Sequence, residues 1–413
     1  MLYYIKNGEA YNSGKATEDQ VAVKALDDYT LEVTLEAPTS YFLSLTAFPT
    51  YSPVRKDIVE ANKDTWATKP ETYVSNGPFV LKEWRPKDVM VLEKNTNYWK
   101  ANDVKLAKVE FKMIDQQTSA LTAFQTGQLD MIDNVPQEEI PRLVKEKIAT
   151  IEPALATYYY LFNLTDNAAK IDPAAAKALK DPKVRKALAL AVDRKAIVDN
   201  VTKGGQTPAG AMVPGGIKEP NGQEFRNVNY YKPEGDVAEA KKLLAEAGYP
   251  EGKGFPKLTI LYNTSQGHQN IAQAIQDMWK KKLGINVELK NEEWKVFQTT
   301  RRQKNYLVAR AGWNGDYVDP MTFLDMWTTG NPQNDAGYAN AAFDAKIAAA
   351  KKEVDPAKRM QILHEAEEIL MTDLPVMPIY FYTHIVCVKS NVKGIHKSVL
   401  GHVYFDNAYV EGK

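Results

Sequence analysis

The sequence predicts an α/β protein of two or three domains, and three observations carry that prediction. Its 413 residues exceed a typical domain of about 150, and 44% hydrophobic with 10% aromatic residues supply real cores, so the chain is globular and not disordered. Its early part reads as short runs in which apolar and polar residues alternate, the period of half-buried strands. From about residue 155 long amphipathic helices are set between apolar strands, the pattern of a sheet joined by crossover helices.

Taken in order, Val21 to Leu35 is a β-hairpin, with Asp27-Asp28 as its turn and Leu31, Val33 and Leu35 on one face. Pro38 closes it. A second hairpin joins Gly77 to Trp84 with Val89 to Glu93 through the polar turn Arg85-Pro-Lys-Asp88. Lys105 to Ile114 alternates again, and Thr118 to Thr126 is a short helix stopped at Gly127. Beyond it, Asp181 caps a helix to Val192 with Pro182 at its first position, and Asp193-Arg194 starts another. Further helices run from Val237 to Ala247, His268 to Leu283, Ala342 to Val354 and Asp355 to Met371, the first two closed by Gly248 and Gly284. The strands between them are Leu258 to Tyr262, Ile285 to Leu289, Leu307 to Trp313 and Met377 to Tyr382. The loop Gly204 to Pro220 holds five Gly and three Pro and reads as an ordered excursion, because Pro limits its freedom. The stretch after Lys389 is strand-like and returns to an earlier domain, so one domain is visited twice, an architecture built on a hinge with a cleft.

Composition and motifs exclude several functions. Lys+Arg at 52 balance Asp+Glu at 52, so no net field collects nucleic acid or an anionic membrane. No stretch reaches the roughly 18 to 20 consecutive apolar residues of a membrane span, and the start at Met1 lacks a basic region followed by an apolar one. The expectation is a soluble chain without an address. Cys387, in the run Ile385-Val-Cys-Val388, reads as a small buried hydrophobe. Phosphate-loop, dinucleotide and nucleophile-elbow patterns are absent, and His364-Glu-Ala-Glu-Glu368 lacks the second histidine of a zinc helix. Ser390-Asn-Val-Lys393 matches a nucleophile motif by letter, without its companion motifs. The five histidines, His268, His364, His384, His396 and His402, lack ligand spacing, which argues against a metal site. The carboxylate pairs Asp27-Asp28, Glu138-Glu139 and Glu292-Glu293 read as solvated surface and define no acid and base.

Aromatic residues near isolated charges are the remaining signal. Thr157-Tyr-Tyr-Tyr-Leu-Phe-Asn163 puts phenols on both faces of a strand, and Trp294 follows an acidic pair. These are permissive pocket walls or ordinary core aromatics. Arg310, in an apolar strand, is either structural or a ligand clamp. In the following loop Trp313-Asn-Gly-Asp-Tyr-Val-Asp-Pro320, Asp316 either holds an ammonium group beside an aromatic shelf or serves the turn.

In order, Lys24-Ala-Leu-Asp-Asp-Tyr-Thr-Leu-Glu-Val-Thr-Leu35, Ser75-Asn-Gly-Pro-Phe79, Asn97-Tyr-Trp99, Thr157-Tyr-Tyr-Tyr160, Val184-Arg-Lys-Ala-Leu188 through Asp193-Arg194, Glu239 to Gly248, Tyr262-Asn-Thr-Ser265, Glu293-Trp-Lys295 and Arg310-Ala-Gly-Trp313 resemble the peptide-binding, OppA-like family 5 of bacterial extracellular solute-binding proteins that serve ABC importers. The resemblance spans nearly the whole chain. It implies a two-lobed periplasmic-binding-protein-like α/β fold (type II, large peptide-binding class) with a hinge and the remnant of a third small domain. The implied division is 1–52 for the small-domain remnant, 53–155 with 384–413 for lobe I, and 156–383 for the ligand-contacting lobe II.

The function it implies is that of a non-enzymatic substrate-binding component, without cofactor, that captures short peptides in an interlobe cleft. A monomer, it would deliver them to the membrane subunits of an ABC permease with its cytoplasmic ATPase, on the extracytoplasmic side. Residue by residue, Asp316 matches the receptor of the peptide α-ammonium, and Arg301, Arg310 and His268 match side chains that meet peptide carboxylates of different lengths. Trp294 and Tyr159 match pocket walls, and Gly312 and Trp313 belong to the matching ligand-side segment. Thr202 or Lys203 falls where the family has a pocket lysine, which leaves that role in doubt. Met1 falls inside the family's small domain, without the usual signal peptide or lipid-modified cysteine, so the chain is expected to be a truncated or domain-deleted member. Other ligands on the same fold are dipeptides, nickel chelates or signalling peptides. Asp316 together with Arg310 favours a zwitterionic peptide over a metal complex. A carboxylate-dependent hydrolase is the alternative from another class.

Overall fold

The computed structural model describes residues 2–412. The chain divides into two compact units, Met1–Tyr51 with Leu155–Tyr382, and Ser52–Ala154 with Thr383–Lys413. In the first unit β1 (Val23–Ala25) and β2 (Leu31–Val33) form the expected hairpin, with Val23 opposite Val33 and Ala25 opposite Leu31. Asp27 holds its turn by accepting the Tyr29 N–H at 2.8 Å. Both strands are short and largely exposed, so the apolar face expected at Leu31 is 65% open.

The chain then builds the second unit, in which β3 (Phe79–Arg85), β4 (Val89–Lys94) and β5 (Lys108–Lys112) form an antiparallel meander. A helix at Gln117–Gln125 follows, ended as expected before Gly127, whose φ of 83° glycine adopts without strain. Next come β6 (Met131–Ile132) and β7 (Ala149–Phe162). β7 starts in the second unit and ends in the first, and the return is made by another long strand after β8 (Thr207–Pro208), β9 (Leu258–Asn263), β10 (Val287–Glu292) and β11 (Val308–Asn314), namely β12 (Val376–Val388). Leu121, Phe124, Ile132, Leu143, Ile385 and Cys387 form the core of the second unit, where Cys387 is fully buried as expected.

The first unit's sheet runs β10-β9-β11-β7-β12, with β8 added on β12. β9 is parallel to both of its neighbours, and β7 is antiparallel to β11. Helices link these strands because their ends carry the right residues. Asp181 caps Pro182–Leu190 by accepting the Lys183 N–H at 2.8 Å, and Asp355 caps Pro356–Asp373 through Ala357 and Lys358 at 2.9 and 3.0 Å. Gly284, with φ at 72°, ends Gln266–Leu283.

Some elements depart from the sequence reading. The strand expected from Ile285 begins at Val287, because Ile285 is still tied to the helix by its N–H on the Trp279 carbonyl at 3.3 Å. The helix after Asp193 covers only Arg194–Ala196 before opening into a π-helix over Ile197–Thr202. β7 and β12 are far longer than the apolar runs that announced them.

The Gly- and Pro-rich loop is ordered, as expected, for a reason its composition does not show. Glu367, 3% exposed, accepts the N–H groups of Met212 and Val213 at 3.0 and 2.7 Å, and the Met212 carbonyl in turn accepts the Thr157 hydroxyl at 2.9 Å. Burial pushes the Glu367 carboxyl up to about 7 even though the two amides favour its ionised form. With the folded value above the unfolded one, this group's stabilisation is complete below about pH 4.5 and is lost as pH rises through 7. Glu367→Gln keeps the acceptor and removes the ionisation. Denaturant unfolding at pH 5 and pH 8 should therefore show the variant gaining on the parent by on the order of 2 to 3 kcal/mol across that interval. A difference that stays constant with pH would disprove the linkage.

Candidate functional site

The spine of the site is β11, whose register on β7 sets Arg310 opposite Tyr160 and Gly312 opposite Tyr158. Side chains alternate along strands, so Arg310, Tyr158 and Tyr160 share one face and Tyr159 takes the other. Arg310 is 8% exposed. Its Nη1 donates to Asn263 Oδ1 at 3.0 Å and its Nη2 to the Tyr382 hydroxyl at 3.2 Å. The guanidinium carbon lies 5.0 Å from the Tyr158 ring centre, and Tyr158 stacks on Tyr380 at 4.7 Å. The buried Nε finds no acceptor among the described residues, and the groups around this charge are phenols, not carboxylates. A buried guanidinium without a counter-charge is costly unless something supplies one.

His268, in the first turn of Gln266–Leu283, meets the Tyr158 hydroxyl through Nδ1 at 3.2 Å. Burial, then the Arg310 charge, pushes it down to about 3, so it is neutral at pH 7 and offers hydrogen bonds without a second positive charge. Gly312 makes the cage possible: a Cβ there would sit 2.9 Å from the Tyr382 hydroxyl, the group that holds Arg310.

Asp316 lies in the loop after β11. Its backbone N–H donates to Thr322 Oγ1 at 3.1 Å, and Trp313 Nε1 reaches the same oxygen at 3.4 Å. Thr322 thus sets the loop while leaving the Asp316 carboxylate free of any hydrogen bond among the described residues. Burial pushes that carboxyl up, against the pull of positive charge at the chain's N-terminus.

Arg301 stands apart from this cage. On the helix Trp294–Arg302 it pairs with Asp335 at 2.9 Å, and its Nη2 donates to Gln298 Oε1 at 3.0 Å. Burial pushes Asp335 up while Arg301 pulls it down. Trp294 opens the same helix, 48% exposed, and stacks on Phe297 at 6.0 Å. Tyr159 is 3% exposed and meets Trp327 edge-on at 5.7 Å, so it contributes to the core face of the sheet.

The structure thus brings together Arg310, His268 and Gly312 on one face of β11, with Trp313 near the end of that strand and Asp316 just beyond it. Sequence reasoning missed Asn263, Tyr380 and Tyr382, although Tyr380 and Tyr382 alternate in β12 and Asn263 ends the apolar run of β9. It also misplaced Glu292. Expected in solvent, that side chain is 12% exposed and paired with Lys290 at 3.0 Å, because it is the last residue of a strand that pairs with β9 opposite Asn263. Among the described residues no cluster of His, Cys, Asp or Glu could hold a metal ion, and no helix is long and apolar enough to cross a membrane.

Comparison with known proteins places this geometry in a family. The profile of the bacterial extracellular solute-binding proteins, family 5 middle region, matches residues 2–335. The oligopeptide-binding protein OppA of Bacillus subtilis is 42% identical over 417 residues, covering 99% of this chain and 74% of that protein. The crystal structure of the oligopeptide-binding protein OppAIV of Borrelia burgdorferi superposes with a TM-score of 0.83 at 35% identity, over 98% of this chain and 78% of that one. The Escherichia coli murein tripeptide binding protein MppA gives 0.81 at 34% identity, over 99% and 78%. With its α/β units and its sequence matched from one end to the other, the chain belongs to the bacterial extracellular solute-binding proteins of family 5.

Proposed function

We propose that this chain is the substrate-binding component of an ABC importer and that it captures short peptides by their two charged ends, outside the cytoplasmic membrane. The observation that carries the reading is the buried Arg310, which has hydrogen-bonding partners and an aromatic cage but, among the described residues, no anion. A peptide carboxylate supplies the missing charge. At the other end, the Asp316 carboxylate has no hydrogen bond among the described residues, burial has raised its cost of ionisation and positive charge at the chain's N-terminus lowers it, so an ammonium group is its natural complement.

Arg310 stands within β11 and Asp316 in the loop that leaves it, so both receptors are carried by one continuous segment. His268, neutral beside the cage, serves carboxylates that fall short of the guanidinium or overshoot it. Trp294 and Trp313 offer wall area to side chains without demanding one shape. Arg301 is a reserve anion site, since a ligand carboxylate there must compete with Asp335. No bond is broken in this cycle. The peptide leaves intact for the permease's membrane subunits, driven by their ATPase.

Two measurements test the reading. Native mass spectrometry of the purified chain, before and after mild denaturation, should release a ladder of co-purified masses that fragment as short peptides. A folded protein that carries no peptide and takes up none on addition of tri-alanine would count against peptide capture. In calorimetry with tri-alanine, Asp316→Asn should weaken binding by about 2 to 5 kcal/mol, because the ligand ammonium is left unpaired, whereas N-acetyl-tri-alanine should bind both proteins alike. Equal affinity of parent and variant for tri-alanine would remove Asp316 from the site.

A further inference from the structure

Among the described residues the Asp316 carboxylate makes no hydrogen bond, so what fixes its backbone decides where the charge sits. On the strand side Gly315 donates to the Leu155 carbonyl at 2.8 Å and Asp316 to Thr322 at 3.1 Å. On the far side the support is more elaborate. Asp319, three residues on, takes a two-pronged bond from Arg359 of the helix Pro356–Asp373, with both N–H···O distances 2.8 Å and side chains only 7% and 3% exposed. Asp319 also accepts the Met321 N–H at 2.9 Å. The Arg359 guanidinium lies 4.5 Å from the centre of the Tyr41 ring. Tyr41 in turn stacks flat on Tyr317, the residue next to Asp316, at 5.3 Å and 2°. Tyr4 closes the group, edge-on to Tyr41 at 5.5 Å and with its hydroxyl 3.3 Å from that of Tyr317.

We propose that Arg359 is a positioning residue for ligand binding: through Asp319 on one side and the Tyr41–Tyr317 stack on the other, it fixes the loop that aims the Asp316 carboxylate at the ligand ammonium. The inference rests on the reading of Asp316 as ammonium receptor given above. Stability alone does not account for the pair, because a buried ion pair is replaceable by apolar residues of similar volume at little or no cost. What an apolar pair lacks is direction. A guanidinium fork on a carboxylate fixes distance and plane together, and here it acts on a loop whose functional side chain has no hydrogen bond among the described residues.

A double-mutant cycle on the full chain separates positioning from mere packing. Tri-alanine affinity is measured by calorimetry for the parent, for Asp319→Leu with Arg359→Met, for Asp316→Asn, and for all three changes together, with thermal unfolding to confirm that each is folded. The expected result is a loss on the order of tenfold when the Asp319–Arg359 pair is replaced in the parent, and no further loss when it is replaced in the Asp316→Asn background. Arg359→Lys, which keeps the charge but not the fork, is measured in the same cycle and should also lose affinity only while Asp316 is present. Losses of equal size in both backgrounds would show a general packing role and overturn the proposal, as would unchanged tri-alanine affinity in proteins that Asp316→Asn still weakens. If Asp316→Asn itself leaves affinity unchanged, the ammonium reading fails first and the positioning role fails with it.

Discussion

A charge buried without its opposite is the constraint around which this molecule is arranged. Of the other buried arginines, only Arg359 meets a carboxylate. Arg185 donates to the carbonyls of Leu179, Lys180, Asp373 and Leu374, Arg194 donates to those of Pro378, Ala189 and Val192, and Arg359 meets Asp319. Arg310, like Arg185 and Arg194, meets only neutral acceptors, which orient a guanidinium but do not neutralise it; what sets it apart is that its acceptors are a phenol and a side-chain amide at the edge of an aromatic cage instead of backbone carbonyls. Such a site is poised, because the electrostatic cost of burying the cation has already been met by folding and an arriving anion recovers it. Keeping His268 neutral in the same cage preserves that balance at one uncompensated charge.

The two receptors are also built differently. Arg310 stands on a central strand between β9 and β7, where the sheet itself fixes its direction. Asp316 stands on a loop, and loops need outside help to hold a side chain still. The help comes from three parts of the chain: Thr322 just downstream, Arg359 on a late helix, and Tyr4 with Tyr41 near the start. Glu367 plays a comparable part for the loop that backs Thr157, next to the Tyr158 ring of the cage. Carboxylates buried against backbone amides or a guanidinium thus act as pins, and the two partly open charges act as receptors.

The α/β class, the hairpins and the capped helices were legible because each depends on local chemistry. Asp181, Asp355 and Gly284 do at their helix ends what those residue types do wherever they occur. Arg310 and Asp316 could be singled out because a charge in or just after an apolar strand is conspicuous. Illegible from the sequence were the partners that make sense of them. Asn263, Tyr382 and Arg359 lie 47 and 72 residues from Arg310 and 40 residues from Asp319 respectively, and register across a sheet is not written in any one strand. For the same reason Tyr159, adjacent to Tyr158 in sequence, lies on the opposite face, and Glu292 is folded against the sheet instead of standing in water.

Gly312 shows how closely the cage is fitted. Its backbone is ordinary strand, so nothing in its own conformation demands glycine; the constraint is the Tyr382 hydroxyl, which a Cβ at 312 would meet at 2.9 Å. A methyl group there enters only if the far end of the Tyr382 side chain swings aside, and that hydroxyl is the acceptor for Arg310 Nη2. One carbon added to the strand is therefore felt at the guanidinium, and the space left open above Gly312 is part of what aims it.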